Sequence, residues 1–373
     1  MLRVWMRAWR DRLLASPRFR ALAAAFPLTR PIARRRAARL FDLCAGFVYS
    51  QVLLACVRLG LLEQLAAGPR AGAELAARLD LHPEASARLL AAAAALGLVE
   101  RRGPDGSEAL WGLGPQGAAF LGTPGLSAMV EHHALLYADL ADPVELLRRP
   151  PGAARLARYW PYAGAAAPET LEPDQVARYS ALMAASQPAV AAEILDAYPI
   201  ARHRRLLDLG GGEGAFLAAA AARAPRLELV LVDLPAVAER ARARLAAAGL
   251  GDRVEVVGAD FRKVPLPEGA DLVTLVRVLH DQDDADALAL LRAAHAALAP
   301  GGVVLIGEPM AGTRGAERVG DAYFGFYLLA MGRGRPRRPE EVAELLRAAG
   351  FVRPRRRRTR LPLVASVVMA RRS

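Results

Sequence analysis

The residues best suited to chemistry lie where a short apolar run ends in an acid and three alternating glycines. Asp208 stands inside the run, Gly210, Gly212 and Gly214 follow it, and Glu213 lies between the last two glycines. The spacing is G-x-G-x-G, which differs from the G-x-G-x-x-G of dinucleotide-binding proteins. Two acids here suit a cationic or hydroxyl-rich ligand better than a pyrophosphate. We therefore expect a strand, a glycine turn and a helix at a nucleoside site, with a tight turn that binds no ligand as the alternative.

Two further apolar runs end in residues that suit a nucleoside. Leu229–Val232 leads to Asp233, whose carboxylate can accept hydrogen bonds from both ribose hydroxyls. Val254–Val257 leads to Asp260, which can accept from an adenine amine, and to Phe261, which can cover the ring. Because the carboxyl ends of parallel strands meet at one edge of a sheet, these side chains should converge on one crevice. The pattern predicts S-adenosylmethionine (SAM), with its positive sulfonium and ammonium groups, as the cofactor.

A histidine and a glutamate follow the next two predicted strands. His280 comes just after the fourth strand, and an ordinary imidazole pKa of about 6.5 leaves a neutral base at pH 7. Glu308 ends the fifth strand, from which it could contact the far ring nitrogen and set the tautomer. We expect His280 to be the catalytic base and Glu308 its partner, with a structural histidine and a solvated acid as the alternatives. Capping of the next helix accounts for Asp281, Asp283 and Asp284.

An α/β domain is needed to position these residues. The last two predicted strands lack room for a long helix between them, so they should form an antiparallel hairpin at the edge of the sheet. Arginines fill this hairpin, as is usual for a solvated edge that resists aggregation: Arg353, Arg355, Arg356, Arg357, Arg358 and Arg360. The seven strands are expected near residues 205–209, 228–233, 254–258, 271–277, 302–307, 350–354 and 363–370.

The chain divides into four expected segments. Residues 1–40 form a basic amphipathic arm, 41–122 a winged-helix-like module, 123–200 connecting helices that line a substrate pocket, and 201–373 the catalytic domain. A winged helix on a basic chain is also typical of DNA-binding regulators. The second helix of the module, however, offers only Arg88 as a strong base-reading residue among alanines and leucines. We therefore expect a dimerisation module, with a winged-helix regulator that carries a non-catalytic SAM domain as the alternative.

The N-terminal arm combines an apolar stripe with positive charge. Leu2, Trp5, Met6, Trp9 and Leu13 fall on one face at helical spacing, and three arginines stand beside them. Tryptophans flanked by arginines suit a helix at a membrane interface. Docking on a second copy of the protein is the equally weighted alternative.

The composition and charge of the chain limit the class of protein to which it can belong. The chain has 373 residues, 54% of them hydrophobic, which is enough for two packed domains. Its net charge of +12 comes almost entirely from arginine and favours an anionic surface, either lipid or nucleic acid. Cys44 and Cys56 are expected to be buried thiols of a reducing compartment. No cysteine–histidine cluster has metal-ligand spacing, so we expect no metal. No secretory signal is recognisable, and the apolar run Leu43–Val57 is shorter than a bilayer span. We therefore expect a soluble or peripheral protein.

Several motifs resemble those of the plant-type small-molecule O-methyltransferases. LLDLGGGEG, LVDLP, GADF, LHDQDD and GEPM carry the resemblance over roughly residues 40 to 370. FDLCAGFVYSQVLLACV, HHALLYADLADPVELLR and DAYFGFYLLAMGRGRPR are similar to the carotenoid O-methyltransferases of purple phototrophic bacteria, which act on hydroxyneurosporene or demethylspheroidene. The resemblance implies a Rossmann-like seven-stranded SAM methyltransferase domain, a homodimer formed through the winged-helix module, and methylation of the tertiary hydroxyl of an acyclic hydroxycarotenoid. It further implies a cytoplasmic enzyme, with peripheral attachment to the inner or intracytoplasmic membrane as an added expectation, and no nucleic-acid partner.

One position departs from the pattern of this family. Plant-type enzymes carry a second glutamate near the catalytic histidine, in a segment that matches Gly334–Arg337, and this chain has Pro336 where that acid should fall. The pair of acids around the base is therefore incomplete.

The substrate is predicted less sharply than the cofactor. Ala322–Met331 is aromatic and apolar around most of a helix. It could form the wall of a hydrophobic channel, with core packing as the alternative. Such a wall favours a hydrophobic substrate, and another pigment or a polyketide phenol is the alternative to a carotenoid. For the following candidate pocket residues core packing is again the alternative: His132, His133, Tyr137, Tyr159, Trp160, Tyr162 and Met183.

Overall fold

The computed structural model describes residues 2–103, 109–160 and 168–373, and the chain forms two compact units that meet in sequence at Ala119 and Phe120. The expected turn at residues 103–106 and the candidate pocket residue Tyr162 fall wholly or partly outside the described residues.

The N-terminal unit is helical with a small antiparallel sheet. Gly60, with φ of 64°, separates its longest helix from the next, because a left-handed residue interrupts helical hydrogen bonding. Two short helices followed by a hairpin give the helix–turn–helix and wing that the sequence predicts. The helices are α1 (Leu2–Ala15), α2 (Pro17–Ala25), α3 (Arg30–Arg58), α4 (Leu61–Ala66), α5 (Gly72–Arg78), α6 (Pro83–Ala95) and α7 (Pro115–Leu121), and the strands are β1 (Arg70–Ala71), β2 (Val99–Arg102) and β3 (Leu110–Leu113), in the order β1-β3-β2.

Helix α3 differs from its sequence-based expectation. It continues through residues 40 and 41 without a break, and Pro31 lies in its first turn instead of ending a helix. By length and composition alone it could cross a membrane: its most apolar window has mean hydropathy 1.8 and is 17% buried. Phe41, Leu43 and Phe47 are exposed on it. Cys56 is buried as expected, but the expectation for Cys44 was wrong, because that residue lies on the exposed part of this helix.

The C-terminal unit contains the predicted seven-stranded sheet. Five parallel strands are followed at one side by an antiparallel pair, so the order is β6-β5-β4-β7-β8-β10-β9. This order confirms the doubly wound α/β domain and its terminal hairpin. The strands are β4 (Arg205–Leu209), β5 (Glu228–Asp233), β6 (Val254–Gly258), β7 (Ala270–Val276), β8 (Leu298–Glu308), β9 (Phe351–Arg357) and β10 (Ser366–Arg372).

Helices cover both faces of this sheet. Neighbouring residues of a strand point to opposite faces, so Leu206 packs in one apolar cluster with Phe216, and Leu207 packs in the other with Leu291. With both faces covered, the carboxyl edge of the parallel strands is left for a site. The helices are α8 (Leu126–Asp139), α9 (Pro143–Arg148), α10 (Arg155–Tyr159), α11 (Pro173–Ala197), α12 (Ala215–Arg223), α13 (Pro235–Ala247), α14 (Asp284–Ala297), α15 (Phe324–Met331) and α16 (Pro339–Ala348).

Candidate active site

The glycine turn after β4 is shaped by backbone conformations that favour glycine. Gly210, Gly212 and Gly214 have φ of 67°, 58° and 78°, in the left-handed region. A Cβ at Gly210 would lie 2.7 Å from Val278 Cγ2, whereas a Cβ at Gly212 would meet nothing within 4 Å. The turn therefore lies close to the sheet on one side and leaves open space on the other.

Asp208 provides a buried carboxylate with one free oxygen. Its Oδ1 accepts a hydrogen bond from Thr274 Oγ1 at 2.5 Å, and its Oδ2 has no partner among the described residues. Burial raises the pKa of Asp208 to about 7, with the hydroxyl of Thr274 acting in the opposite direction. A buried acid that lacks a partner is costly, so this group fits a ligand that brings positive charge or a donor to the turn.

Asp233 connects the end of β5 to the glycine turn. Its Oδ2 accepts from Gly212 N and its Oδ1 from Leu234 N, each at 2.8 Å. Burial raises the pKa of Asp233 to about 6, and the two backbone hydrogen bonds oppose that rise. Each carboxylate oxygen has a further lone pair, so the side chain can still accept from ligand hydroxyls.

Two other acids of the motif have protein partners that the sequence did not indicate. Asp260 forms a bidentate pair with Arg262, at 2.9 Å to Nε and 2.8 Å to Nη2. Glu213 is paired with Arg240 and Arg244 at 2.6 and 3.0 Å, so its carboxylate secures the turn to α13 and is not free for a cation. The chain contains so many arginines that the sequence alone could not indicate which of them pair with these two acids.

These residues line one crevice of about 1050 Å³, including its space open to solvent. The predicted Gly210, Gly212, Asp233, Asp260 and Phe261 are all part of its lining. Asp208 and Gly214 are not part of this lining. Apolar side chains of the C-terminal unit complete the lining on another side, among them Trp160, Tyr179 and Met183.

His280 lies beside this crevice in a short 3₁₀ turn after β7. Its side chain is 5% exposed, its Nε2 lies 3.2 Å from Asp281 Oδ1, and its Nδ1 has no partner among the described residues. Glu308 does not contact the ring as expected: its Oε2 accepts from the backbone N of His280 at 3.1 Å. Asp281, assigned from sequence to helix capping, is instead the ring's partner and lines the crevice.

The electrostatics of this turn keep the imidazole neutral. Burial, together with the positive charges of Arg277 and Arg337, lowers the pKa of His280 to about 3. Burial raises the pKa of Glu308 to about 7, and burial together with Glu308 raises the pKa of Asp281 well above its ordinary value. At pH 7 the ring is therefore uncharged, with Nε2 beside the carboxyl group of Asp281 and Nδ1 buried without a hydrogen-bond partner among the described residues.

The segment Gly334–Arg337 fixes the position of the base. Arg337 is fully buried and donates to the carbonyl oxygens of Leu279 and Gln282 at 2.7 Å and to Asp284 Oδ1 at 2.7 Å. Gly334 lies so close to this turn that a Cβ there would collide with the carbonyl oxygen of His280. Sequence reasoning noticed Arg337 only as a neighbour of Pro336.

Helix α15 provides an aromatic surface next to the base. The ring of Phe324 lies 5.6 Å from that of His280, centroid to centroid. Two predicted pocket histidines bond to tyrosines of this segment: His132 Nε2 lies 2.8 Å from Tyr327 Oη and His133 Nε2 lies 2.7 Å from Tyr323 Oη. Burial lowers the pKa of His132 to about 4, so His132 adds no positive charge to this aromatic surface at pH 7.

This geometry defines a class of enzyme. The crevice is lined by the glycine turn and Asp233, and the buried Asp208 and the neutral His280 each adjoin a lining residue. This arrangement suits transfer of a group from a nucleoside cofactor. Among the residues described, no cluster of three or more histidine, cysteine or acidic side chains could hold a metal ion.

Comparison with known proteins places the chain in a family. Residues 137–352 match the O-methyltransferase domain, and residues 41–123 match the O-methyltransferase dimerisation domain. The chain belongs to this O-methyltransferase family; its cofactor is SAM, and its dimerisation domain indicates a homodimer.

Two similar proteins are named for the reaction that they catalyse. Demethylspheroidene O-methyltransferase of Cereibacter sphaeroides is 46% identical over 96% of this chain and 93% of its own, and that of Rhodobacter capsulatus is 43% identical over 97% and 88%. Among solved structures, the S-adenosylmethionine-dependent methyltransferase SibL has 29% identity and a TM-score of 0.71, covering 90% of this chain and 98% of its own.

Proposed function

We propose that this protein transfers a methyl group from SAM to the tertiary hydroxyl of an acyclic hydroxycarotenoid of the hydroxyneurosporene or demethylspheroidene type. The observation that carries the proposal is the identity of 46% with a demethylspheroidene O-methyltransferase over nearly the whole of both chains. The apolar lining from Trp160 and Met183, and the aromatic surface beside His280, support a substrate without charge or phosphate.

The proposed cofactor site is the crevice at the carboxyl edge of the sheet. When bound, SAM supplies a methyl group that its sulfonium has already activated. Asp208 and Asp233 present buried carboxylate oxygens toward the turn, and Phe261 lines the crevice where a ring could be covered. Gly210, Gly212 and Gly214 allow the backbone of the turn to approach a ligand, and Asp260, held by Arg262, keeps lone pairs for an amine.

The proposed catalytic group is His280. Its unpartnered ring nitrogen accepts the proton of the substrate hydroxyl while the methyl group is transferred, because an alcohol is too weak an acid to ionise beforehand. Asp281 holds the other nitrogen and stabilises the imidazolium that forms. Glu308 positions the backbone of the base, so in this chain it acts through His280 and not on the substrate.

The test is a direct assay of the product. Purified protein is incubated with methyl-labelled SAM and a pigment extract that contains hydroxycarotenoids, and the expected product is a labelled carotenoid methyl ether. Label that appears only in phenolic products would favour the alternative substrate class, another pigment or a polyketide phenol. Binding to DNA at physiological salt without any methyl transfer would favour a regulator.

The four-segment division at residues 40, 122 and 200 remains our proposal for the organisation of the chain. The exposed apolar residues of α3, among them Phe41, Leu43 and Phe47, lie within the matched dimerisation domain. We therefore assign them to the contact with the second subunit and not to a bilayer. The proposed location is cytoplasmic with peripheral attachment to a membrane, where a long carotenoid must be met.

Deletion of residues 1 to 20 is expected to release the protein from anionic vesicles and to slow methylation of a membrane-embedded substrate. Trp5, Met6 and Trp9 are exposed on α1, next to Arg7 and Arg10, so this helix can place indoles at the interface and positive charge on the headgroups. Sedimentation with vesicles over a range of salt concentrations measures the effect, and a water-soluble tertiary alcohol serves as the control substrate. If the deletion leaves vesicle binding as strong as in the full-length protein at low salt, the arm is a subunit-docking element; binding of the truncated protein that persists at high salt would point to a membrane-spanning α3.

A further inference from the structure

The turn that joins β9 to β10 combines exposed leucines with exposed arginines. Leu361 and Leu363 are 51% and 50% exposed, and Arg358 and Arg360 precede them. Pro362 stands between the two leucines. Two large apolar side chains on one short turn are unfavourable in water unless another surface covers them.

This turn is held firmly and is not a loose connection. Val364 N donates to Leu361 O at 2.9 Å, and Thr359 Oγ1 donates to Ala365 O at 2.8 Å. Leu361 N donates to Glu193 Oε2 of α11 at 2.8 Å, and Arg360 pairs with Asp196 of the same helix at 2.9 Å. The exposure of the leucines is therefore fixed by the fold.

The turn lies at the edge of the sheet that carries the active site. Ser366, the first residue of β10, is paired with Glu308, the last residue of β8. The turn before Ser366 thus emerges at the carboxyl edge, together with the glycine turn and the turn of His280. At a spacing of 4.7–4.9 Å between strands, the far strand β9 is about 10 Å from β8.

Exposed arginines precede the leucines along the chain. Arg355 and Arg356 are exposed near the end of β9, and Arg358 is exposed at the start of the turn. Among the residues that the structure describes, no carboxylate pairs with Arg355, Arg356 or Arg358, so their guanidinium groups are available to anions. Exposed leucines that follow exposed arginines match the acyl chains and headgroups of an anionic leaflet.

We propose that this arginine–leucine turn, residues 355–363, docks the catalytic unit on an anionic lipid bilayer with its active-site edge toward the lipid. Leu361 and Leu363 enter the interface, and Arg355, Arg356 and Arg358 contact the headgroups. The inference rests on the proposed function in one respect: docking would give the enzyme access to a substrate that is dissolved in the membrane. It is independent of the N-terminal arm, because different residues carry it.

The experiment measures binding of the full-length protein to vesicles of phosphatidylcholine, with and without phosphatidylglycerol, in the absence of substrate. Leu361→Ser with Leu363→Ser should weaken binding about tenfold. Arg356→Gln with Arg358→Gln should weaken binding to anionic vesicles by up to about fivefold for each charge removed, and less at high salt.

Matched controls lie at the opposite, amino edge of the same sheet. Val352→Ser removes an exposed apolar side chain there, and Arg204→Gln with Arg226→Gln removes two exposed charges. Unchanged binding by the controls and weakened binding by the turn variants supports the proposal. Equal losses of vesicle binding by the variants at both edges would mean a general charge effect. Full binding by the turn variants would leave the membrane contact to the N-terminal arm. Either result overturns the proposal.

Two further measurements separate this proposal from its rivals. SAM affinity and melting temperature report whether each variant is folded. If the leucine variant dissociates the homodimer, the turn is covered by the partner subunit and the proposal is wrong. Because lipid binding is measured without substrate, failure to methylate a carotenoid would refute the proposed function and leave this result unaffected.

Discussion

His280→Ala is expected to lower turnover by roughly 10²–10⁴-fold with little change in SAM affinity, since it removes the imidazole that we propose as the catalytic base. Burial and two neighbouring arginines lower the pKa of His280 to about 3, so the neutral ring persists across the physiological pH range. Turnover should therefore show no loss from protonation of this group between pH 8 and pH 5, in contrast to an ordinary histidine. Single-turnover kinetics at saturating SAM measures both effects.

Two conservative variants test the partners of this base. Asp281→Asn keeps the shape of the side chain but weakens its support of the imidazolium, so turnover should fall while SAM affinity stays near that of the wild type. Glu308→Gln should cost less, because an amide oxygen can still accept from the backbone N of His280. Near-wild-type turnover by His280→Ala would leave proximity and orientation as the whole mechanism.

The bounds of the strands and the position of the site could be predicted because both depend on local patterns. Short apolar runs predicted each parallel strand within a few residues, and β4 and β5 have the expected bounds. Acids and glycines that follow such runs must lie at the carboxyl edge, whatever the details of packing. For the same reason Asp233 and Gly212 could be expected together before their hydrogen bond was seen.

The partners of the charged side chains could not be predicted, because they depend on contacts between distant segments. Arg337 reaches Leu279 O across a separation of 58 residues, and nothing in its local sequence marks it as a buried group. Glu308 was expected at the ring of His280, but the 3₁₀ turn orients the backbone N–H toward it and the ring toward Asp281. A turn of three residues has no periodic pattern from which this orientation can be read.

Asp233→Ala is expected to weaken SAM binding by about 30- to 1,000-fold, which corresponds to about 2–4 kcal/mol for the loss of a buried acceptor of two hydroxyl groups. The same substitution also removes the acceptor of Gly212 N and Leu234 N, so part of the loss comes from the glycine turn. Asp233→Asn is the matched variant, because it keeps one acceptor oxygen and the volume of the side chain.

The pH dependence of SAM binding separates the contribution of Asp233 from that of Asp208. Burial raises the pKa of Asp233 to about 6 and that of Asp208 to about 7, so both acids gain protons as the pH falls below neutrality in the free protein. Since the ionised forms are the better acceptors and the better partners of a cation, affinity should be highest above pH 7. It should fall by up to about tenfold per pH unit for each group that must ionise. Calorimetric titration from pH 8 to pH 5 should show both steps in the wild type and only the step of Asp208 in Asp233→Asn. A wild-type affinity that is independent of pH over this range would place the ribose and the charged end of SAM on other residues.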